Sequence, residues 1–222
     1  MNLEKYSKLK AFTLAEIILV IVVIGVIASI TLSILAPSMD DGRYRVGYRK
    51  AYTAIRNMYD AERYTGMMGS IAASKELAFK MLKRHLQVNS YAPYKDSSDI
   101  YKRDEYLTEK QLPNGEEVYD YWIVGDDKIA YRISDQGYCK PKSTINSTTT
   151  FQQAIYASCF TLLVDVNGLS KGPNVMALQN VEPNETTGVI KADRFYIYLG
   201  LDGAHPGNAS DFVTGRIVAG MK

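Results

Sequence analysis

Residues 17–36 read IILVIVVIGVIASITLSILA, twenty consecutive positions without a charge. A helix rising 1.5 Å per residue needs about 20 residues to span a hydrocarbon core of about 30 Å. The run is apolar on nearly every face, so it is not an amphipathic helix lying on a soluble core. Leu, Ile and Val dominate it, and these are the residues that membrane insertion favours. The run therefore predicts a membrane span. The competing expectation is a secretory signal peptide, but its apolar region is usually only about 7–15 residues and ends at a small-residue cleavage site. Ser33 to Pro37 imitates such a site only weakly. Cutting there would release a soluble mature chain beginning near Pro37.

One acid interrupts the pattern. Glu16 is the only charge between Ala11 and Pro37, and a lone carboxylate beside a membrane helix usually has a partner. The stretch Lys10-Ala11-Phe12-Thr13-Leu14-Ala15-Glu16, followed by the apolar run, resembles the N-terminal signal of type IV prepilins and type II secretion pseudopilins. In that family a short basic leader precedes the cut, Phe begins the mature chain, and Glu is its fifth residue. Counted from Phe12, Glu16 is the fifth. The resemblance implies cleavage between Ala11 and Phe12 by a prepilin peptidase, then N-methylation of Phe12. The family strongly prefers Gly before the cut. Ala11 departs from that preference with the next smallest side chain, so processing is expected to be tolerated and slower.

The resemblance also implies a task for Glu16. Cleavage exposes an amino group on Phe12, and in a filament the Glu16 carboxylate of one subunit would neutralise the Phe12 ammonium of its neighbour. An unpaired charge inside an apolar bundle costs several kcal/mol, so such pairing selects one axial register. The implied partners are other pilin or pseudopilin subunits, the prepilin peptidase, an inner-membrane assembly platform and membrane lipid. The implied topology is single-pass in the bacterial inner membrane, with a cytoplasmic N-terminus and an external body. Physics alone does not choose that topology, because Lys5, Lys8 and Lys10 precede the span while Arg43, Arg45, Arg49 and Lys50 follow it.

The chain divides on these grounds into a leader (1–11), a transmembrane assembly helix (12–36) and an extracytoplasmic body (37–222). Of 222 residues, 46% are hydrophobic and 23% charged, which fits a packed domain rather than disorder. The net charge of +2 matches the local excess of Lys5, Lys8 and Lys10 over Glu4, three minus one, so the remainder sums to zero. Nucleic acid is accordingly not indicated as a partner. Cys139 and Cys159 have neither CxxC spacing nor a nearby His, which argues against zinc. In an exported body they predict one disulfide closing a loop of about 20 residues.

Beyond Pro37, where a kink is expected, Tyr48, Tyr52, Ile55 and Tyr59 recur at helical spacing and continue the first helix to about Tyr64. A further helix is predicted over 71–88, with Leu77, Met81, Leu82, His85 and Leu86 on one side. A polar, Tyr-rich connection follows to about Glu116. Strands are predicted at Val118–Val124, Lys128–Ile133, Phe160–Val166, Arg194–Leu201 and Phe212–Val218, separated by Gly-Asp and Asn-Gly turn signals. A helical spine followed by an antiparallel meander is α+β. It matches the pilin-like fold that the resemblance implies, a long N-terminal helix packed on an antiparallel sheet. Val164–Gly168, Lys171–Asn174 and Asp193-Arg194-Phe195 also look like a stretch that recurs in bacterial prepilin-type proteins.

Asp165, Asn167 and Asp193 are the candidate metal ligands. They offer hard oxygens, and the resemblance implies Ca2+, a cation that takes six to eight such ligands. The competing expectation is an Asn-Gly turn whose Asp caps backbone amides. No cofactor is required. There are only two histidines, His85 and His205, and no HExxH, GxSxG or P-loop pattern. A catalytic role is therefore not expected. The leading expectation is a structural filament subunit. The alternative is a single-pass anchored binding protein or enzyme with an uncleaved N-terminus.

Overall fold

The computed structural model describes residues 13–66, 74–95, 100–139, 151–176 and 192–207, with the side chains of 32–41 and 151–152 left aside. Ala11, Phe12 and the predicted strand Phe212–Val218 lie outside the described residues. The elements are α1 (Leu14–Tyr64), α2 (Lys75–His85), β1 (Val88–Ala92), β2 (Trp122–Gly125), β3 (Ala130–Gln136), α3 (Phe151–Ala157), β4 (Phe160–Asp165), β5 (Arg194–Leu199) and β6 (Ala204–Pro206), with three 3-10 turns between β1 and β2. The chain separates into two compact units, Met1–Asp40 and Asp41–Lys222. It is α+β, with an apolar N-terminal helix and a six-stranded antiparallel sheet.

The described part of the first unit is the start of α1. A capping box sets its beginning, with Thr13 and Glu16 in the T-x-x-E pattern that satisfies free helix N–H groups reciprocally. Helical backbone continues through Pro37. Over Leu14–Thr31 the helix is long and apolar enough to cross a membrane, and none of that window is buried.

In the second unit, the rest of α1 lies against the sheet. Tyr48, Ala51, Tyr52, Ile55, Met58 and Tyr59 are buried, the stripe that a 3.6-residue period predicts. Tyrosine rather than phenylalanine suits these sites, because each phenol reaches a backbone acceptor. Tyr52 Oη donates to Ala204 O (2.8 Å), Tyr59 Oη to Leu201 O (2.7 Å) and Tyr48 Oη to Tyr196 O (3.3 Å). Gly47 lies where a Cβ would stand 2.9 Å from both Cβ and O of Val166.

The strands follow one another in the sheet in chain order, β1 through β6, each pair antiparallel. Alternation places Tyr131, Ile133, Leu162, Val164, Phe195, Ile197 and Leu199 in the main core with α1 and α2. The opposite face carries Ala92, Trp122, Val124, Ala130 and Leu163, packed with Tyr101 and Leu169 from the connecting segments. Both faces are therefore covered, which explains why β4 is buried at every position.

Several boundaries differ from the sequence expectation. Val118–Val124 divides into a 3-10 turn, Glu116–Asp120, and the short strand β2. Helix α2 ends at His85 because Leu86 is extended and its N–H closes the last turn on Leu82 O, 2.9 Å away. Val88, expected in that helix, begins β1 instead.

Candidate functional site

The first site to build is the exposed start of α1. Leu14 is 78% exposed, and Ile17 through Ile24, with Val26, Ile27 and Ile30, are each about half exposed, facing every direction around the helix. Large aliphatic side chains open on all faces need either lipid or other helices to cover them. Glu16 stands in the first turn. Its Oε2 accepts the Thr13 backbone N–H and the Thr13 hydroxyl, both at 2.8 Å, while the Thr13 hydroxyl oxygen accepts the Glu16 N–H at 3.3 Å. The T-x-x-E spacing from Thr13 to Glu16 is a capping-box signature that the sequence itself carries.

A second place is the end of the sheet where Asp165, Asn167 and Asp193 meet. Asp165 is fully buried as the last residue of β4. Its Oδ1 accepts the Gly168 N–H at 2.9 Å, and its Oδ2 accepts Arg194 Nε–H at 3.1 Å. Gly168 is at φ +89°, and a Cβ there would stand 2.9 Å from Lys128 O, so the turn requires glycine. Asp193 takes the Asn174 N–H on Oδ2 (2.9 Å) and the Val175 N–H on Oδ1 (2.8 Å). Asn167 donates to Gly172 O at 2.9 Å, and Asn174 to Leu169 O at 3.1 Å.

Asp165 and Asp193 lie close enough to interact electrostatically, and each acts as a loop clamp, while Asn167 bonds within its own loop. Their donor set does not fit a calcium ion. Four carboxylate oxygens already accept from backbone amides or a guanidinium, and Arg194 supplies the positive charge at the place a cation would occupy. Among the described residues, no group of three or more His, Cys, Asp or Glu converges. The expectation of an Asp that caps backbone amides describes Asp165 and Asp193 better than the calcium one. Burial, together with the neighbouring Asp193 charge, pushes the Asp165 carboxyl up to about 7 against the pull of Arg194. Burial likewise raises Asp193, opposed by the amides of Asn174 and Val175.

A third cluster was not anticipated. Glu62, on the buried face of α1, is only 2% exposed. Its Oε1 meets His85 Nε2 at 2.7 Å and Arg84 Nη1 at 3.0 Å. A carboxylate near the C-terminus of one helix is thus compensated by cationic or donor groups near the C-terminus of another, where positive charge is favoured. His85, expected as a packing residue on a helical face, is instead a polar tie. The other cations of α2 are also matched: Lys75 to Asp120, Lys80 to Glu76 and Lys83 to Glu109.

Cys139 and Cys159 form a disulfide. It joins the chain beyond β3 to the start of β4, next to the backbone bonds Gly137 N–H to Cys159 O (3.2 Å) and Cys139 N–H to Ser158 O (3.1 Å). Tyr138 and Tyr156 stack beside it on the surface, with ring centroids 5.5 Å apart. No family model matches the chain, and no curated protein or solved structure matches it.

Proposed function

We propose that this chain is a structural subunit of a type IV pilus or type II secretion pseudopilus filament, assembled through its hydrophobic N-terminal helix. The observation that carries this is the first part of α1: an apolar surface from Leu14 to Thr31 that is open all round, with a single carboxylate in its first turn. A simple membrane anchor needs the apolar surface but gains nothing from Glu16, which costs free energy in hydrocarbon unless it is partnered. A helix that exchanges lipid for neighbouring helices needs both features. The amphipathic continuation of α1 on an antiparallel sheet, and a disulfide in the body, are compatible with a subunit whose body lies outside the cytoplasm.

On this proposal the prepilin peptidase cuts between Ala11 and Phe12, and the Phe12 ammonium of one subunit pairs with Glu16 of the next. The test is the N-terminal residue and mass of the protein recovered from membranes of its native host. N-methylated Phe12 with residues 1–11 gone is the expected result. An intact Met1 would point to an anchored binding protein or enzyme, and a start near Pro37 to a secreted one.

A further inference from the structure

We infer that Asn114 is a site of spontaneous covalent modification, its amide converting to a carboxylate through a cyclic imide with Gly115, and that the fold withholds the same reaction from Asn167. The Asn-Gly dipeptide occurs twice, at Asn114-Gly115 and Asn167-Gly168. Its chemistry needs no partner but water. The glycine nitrogen gives up its proton and attacks Cγ of the asparagine, and the C–N bond that forms closes a succinimide as ammonia leaves. Water then opens the ring at either carbonyl, giving aspartate or isoaspartate, so the net change is one water taken up for one ammonia released. Glycine is the residue that lets this happen, because no Cβ hinders the approach. Two conditions remain: the asparagine side chain must be free to swing, and the following N–H must be unengaged.

The structure gives the two copies opposite answers. Asn114 and Gly115 are both exposed. A Cβ at Gly115 meets nothing within 4 Å, so the space around the nucleophile is open. Neither residue makes a hydrogen bond among the described residues. At the second copy both reacting groups are held. Asn167 Nδ2 donates to Gly172 O at 2.9 Å, and the Gly168 N–H donates to Asp165 Oδ1, also at 2.9 Å. Gly168 is buried as well, against Lys128 O. Reaction there must wait for local opening of the turn. Conversion at Asn114 sets a new negative charge beside the exposed Glu116 and Glu117. An isoaspartate also adds a methylene to the main chain leading into the 3-10 turn Glu116–Asp120 and on to β2.

The experiment uses the full-length chain in mild detergent, held near neutral pH for a series of times, with a parallel series unfolded in urea. After reduction and trypsin digestion, the peptides 111–128 and 143–171 are sequenced by mass fragmentation, and isoaspartate is resolved by its separate elution. In the folded protein Asn114 is expected to convert about tenfold or more faster than Asn167, the scale of the two hydrogen bonds that must first break at the second copy. In urea the two should convert at comparable rates. Asn114→Gln keeps an amide and disfavours ring closure, and it should remove the main acidic form seen on isoelectric focusing. Equal rates in the folded protein would overturn the inference, as would an Asn114 that stays intact. A rate difference that persists undiminished in urea would also overturn it, since the protection of Asn167 would then come from neighbouring sequence and not from the fold.

Discussion

Gly47→Ala sets two opposing effects against each other at one atom. Replacing glycine by alanine inside a helix gains about 0.8–1 kcal/mol in intrinsic propensity. At Gly47 the new methyl would stand 2.9 Å from both Cβ and the carbonyl oxygen of Val166, and 3.4 Å from Val166 Cγ2. Backbone at 2.9 Å cannot rotate away, so α1 and the chain leaving β4 must separate by several tenths of an ångström. Overpacking of this kind costs about 1–3 kcal/mol, and more of it is expected here because Val166 adjoins the Asp165–Gly168 turn. The net expectation is a loss of about 1–2 kcal/mol, or roughly 2–8 °C in midpoint for a body of this size. Gly42→Ala is the matched control, since a Cβ there meets nothing within 4 Å on the same helix. It should stabilise by up to about 1 kcal/mol. Thermal unfolding in mild detergent, followed by the fluorescence of the single, fully buried Trp122, reads both variants. A Gly47→Ala protein as stable as the parent would refute the argument, because it would mean that α1 is not seated against Val166.

Stability should fall as pH rises from about 5 to 8. The folded carboxyl of Asp165 lies at about 7, above its ordinary 3.8, so the native state holds a proton that the unfolded chain releases. The stabilising linkage is complete below the unfolded value and is lost as pH climbs to the folded one, by up to about 3 kcal/mol over two pH units at about 1.4 kcal/mol each. Asp193 acts with the same sign. Chemical denaturation at pH 5, 6.5 and 8 checks this, and a flat profile would show that Arg194 keeps Asp165 ionised throughout. Removing the disulfide by Cys139→Ser with Cys159→Ser should cost about 3 kcal/mol from the loop of 20 residues it closes, measured as a lower urea midpoint with a slope that is, if anything, steeper because the unfolded chain is less compact. Glu62→Ala should destabilise by roughly 1–3 kcal/mol, because His85 loses a buried acceptor while the more exposed Arg84 finds water. Hydrogen exchange at α2 amides should then rise more than exchange in β4.

The sequence was most informative where a single periodicity decided the outcome. Tyr48, Tyr52, Ile55 and Tyr59 announced the buried stripe of α1, and the β-branched and aromatic runs at Phe160–Val166 and Arg194–Leu201 announced β4 and β5 to within a residue or two. Legibility failed where an element exists only because of its neighbour. Val88–Ala92 contains an Asn-Ser pair that signals a helix stop, and it becomes a strand by pairing with Trp122–Gly125. Ala204–Pro206 is three residues long and is defined by its ladder to β5. Phe151–Ala157 follows a polar stretch and has too few residues to show a helical period. At the candidate sites, the convergence of Asp165 with Asp193 and the capping of backbone amides were both among the sequence expectations, whereas the ion pair with Arg194 was not. The deciding partner, Arg194, lies next to Asp193 in sequence, but its reach across to β4 depends on strand register. Glu62 gave no signal, because its partners lie 22 and 23 residues away on another helix.

The three phenols of α1 have a geometric consequence. Tyr48, Tyr52 and Tyr59 bond carbonyls at Tyr196, Ala204 and Leu201, so the β5–β6 hairpin is fastened sideways to a helix. Turning that helix by one residue, about 100°, would withdraw all three hydroxyls together. The hairpin therefore works as a rotational key for residues 48–59 of α1, fixing which face of that stretch meets the sheet.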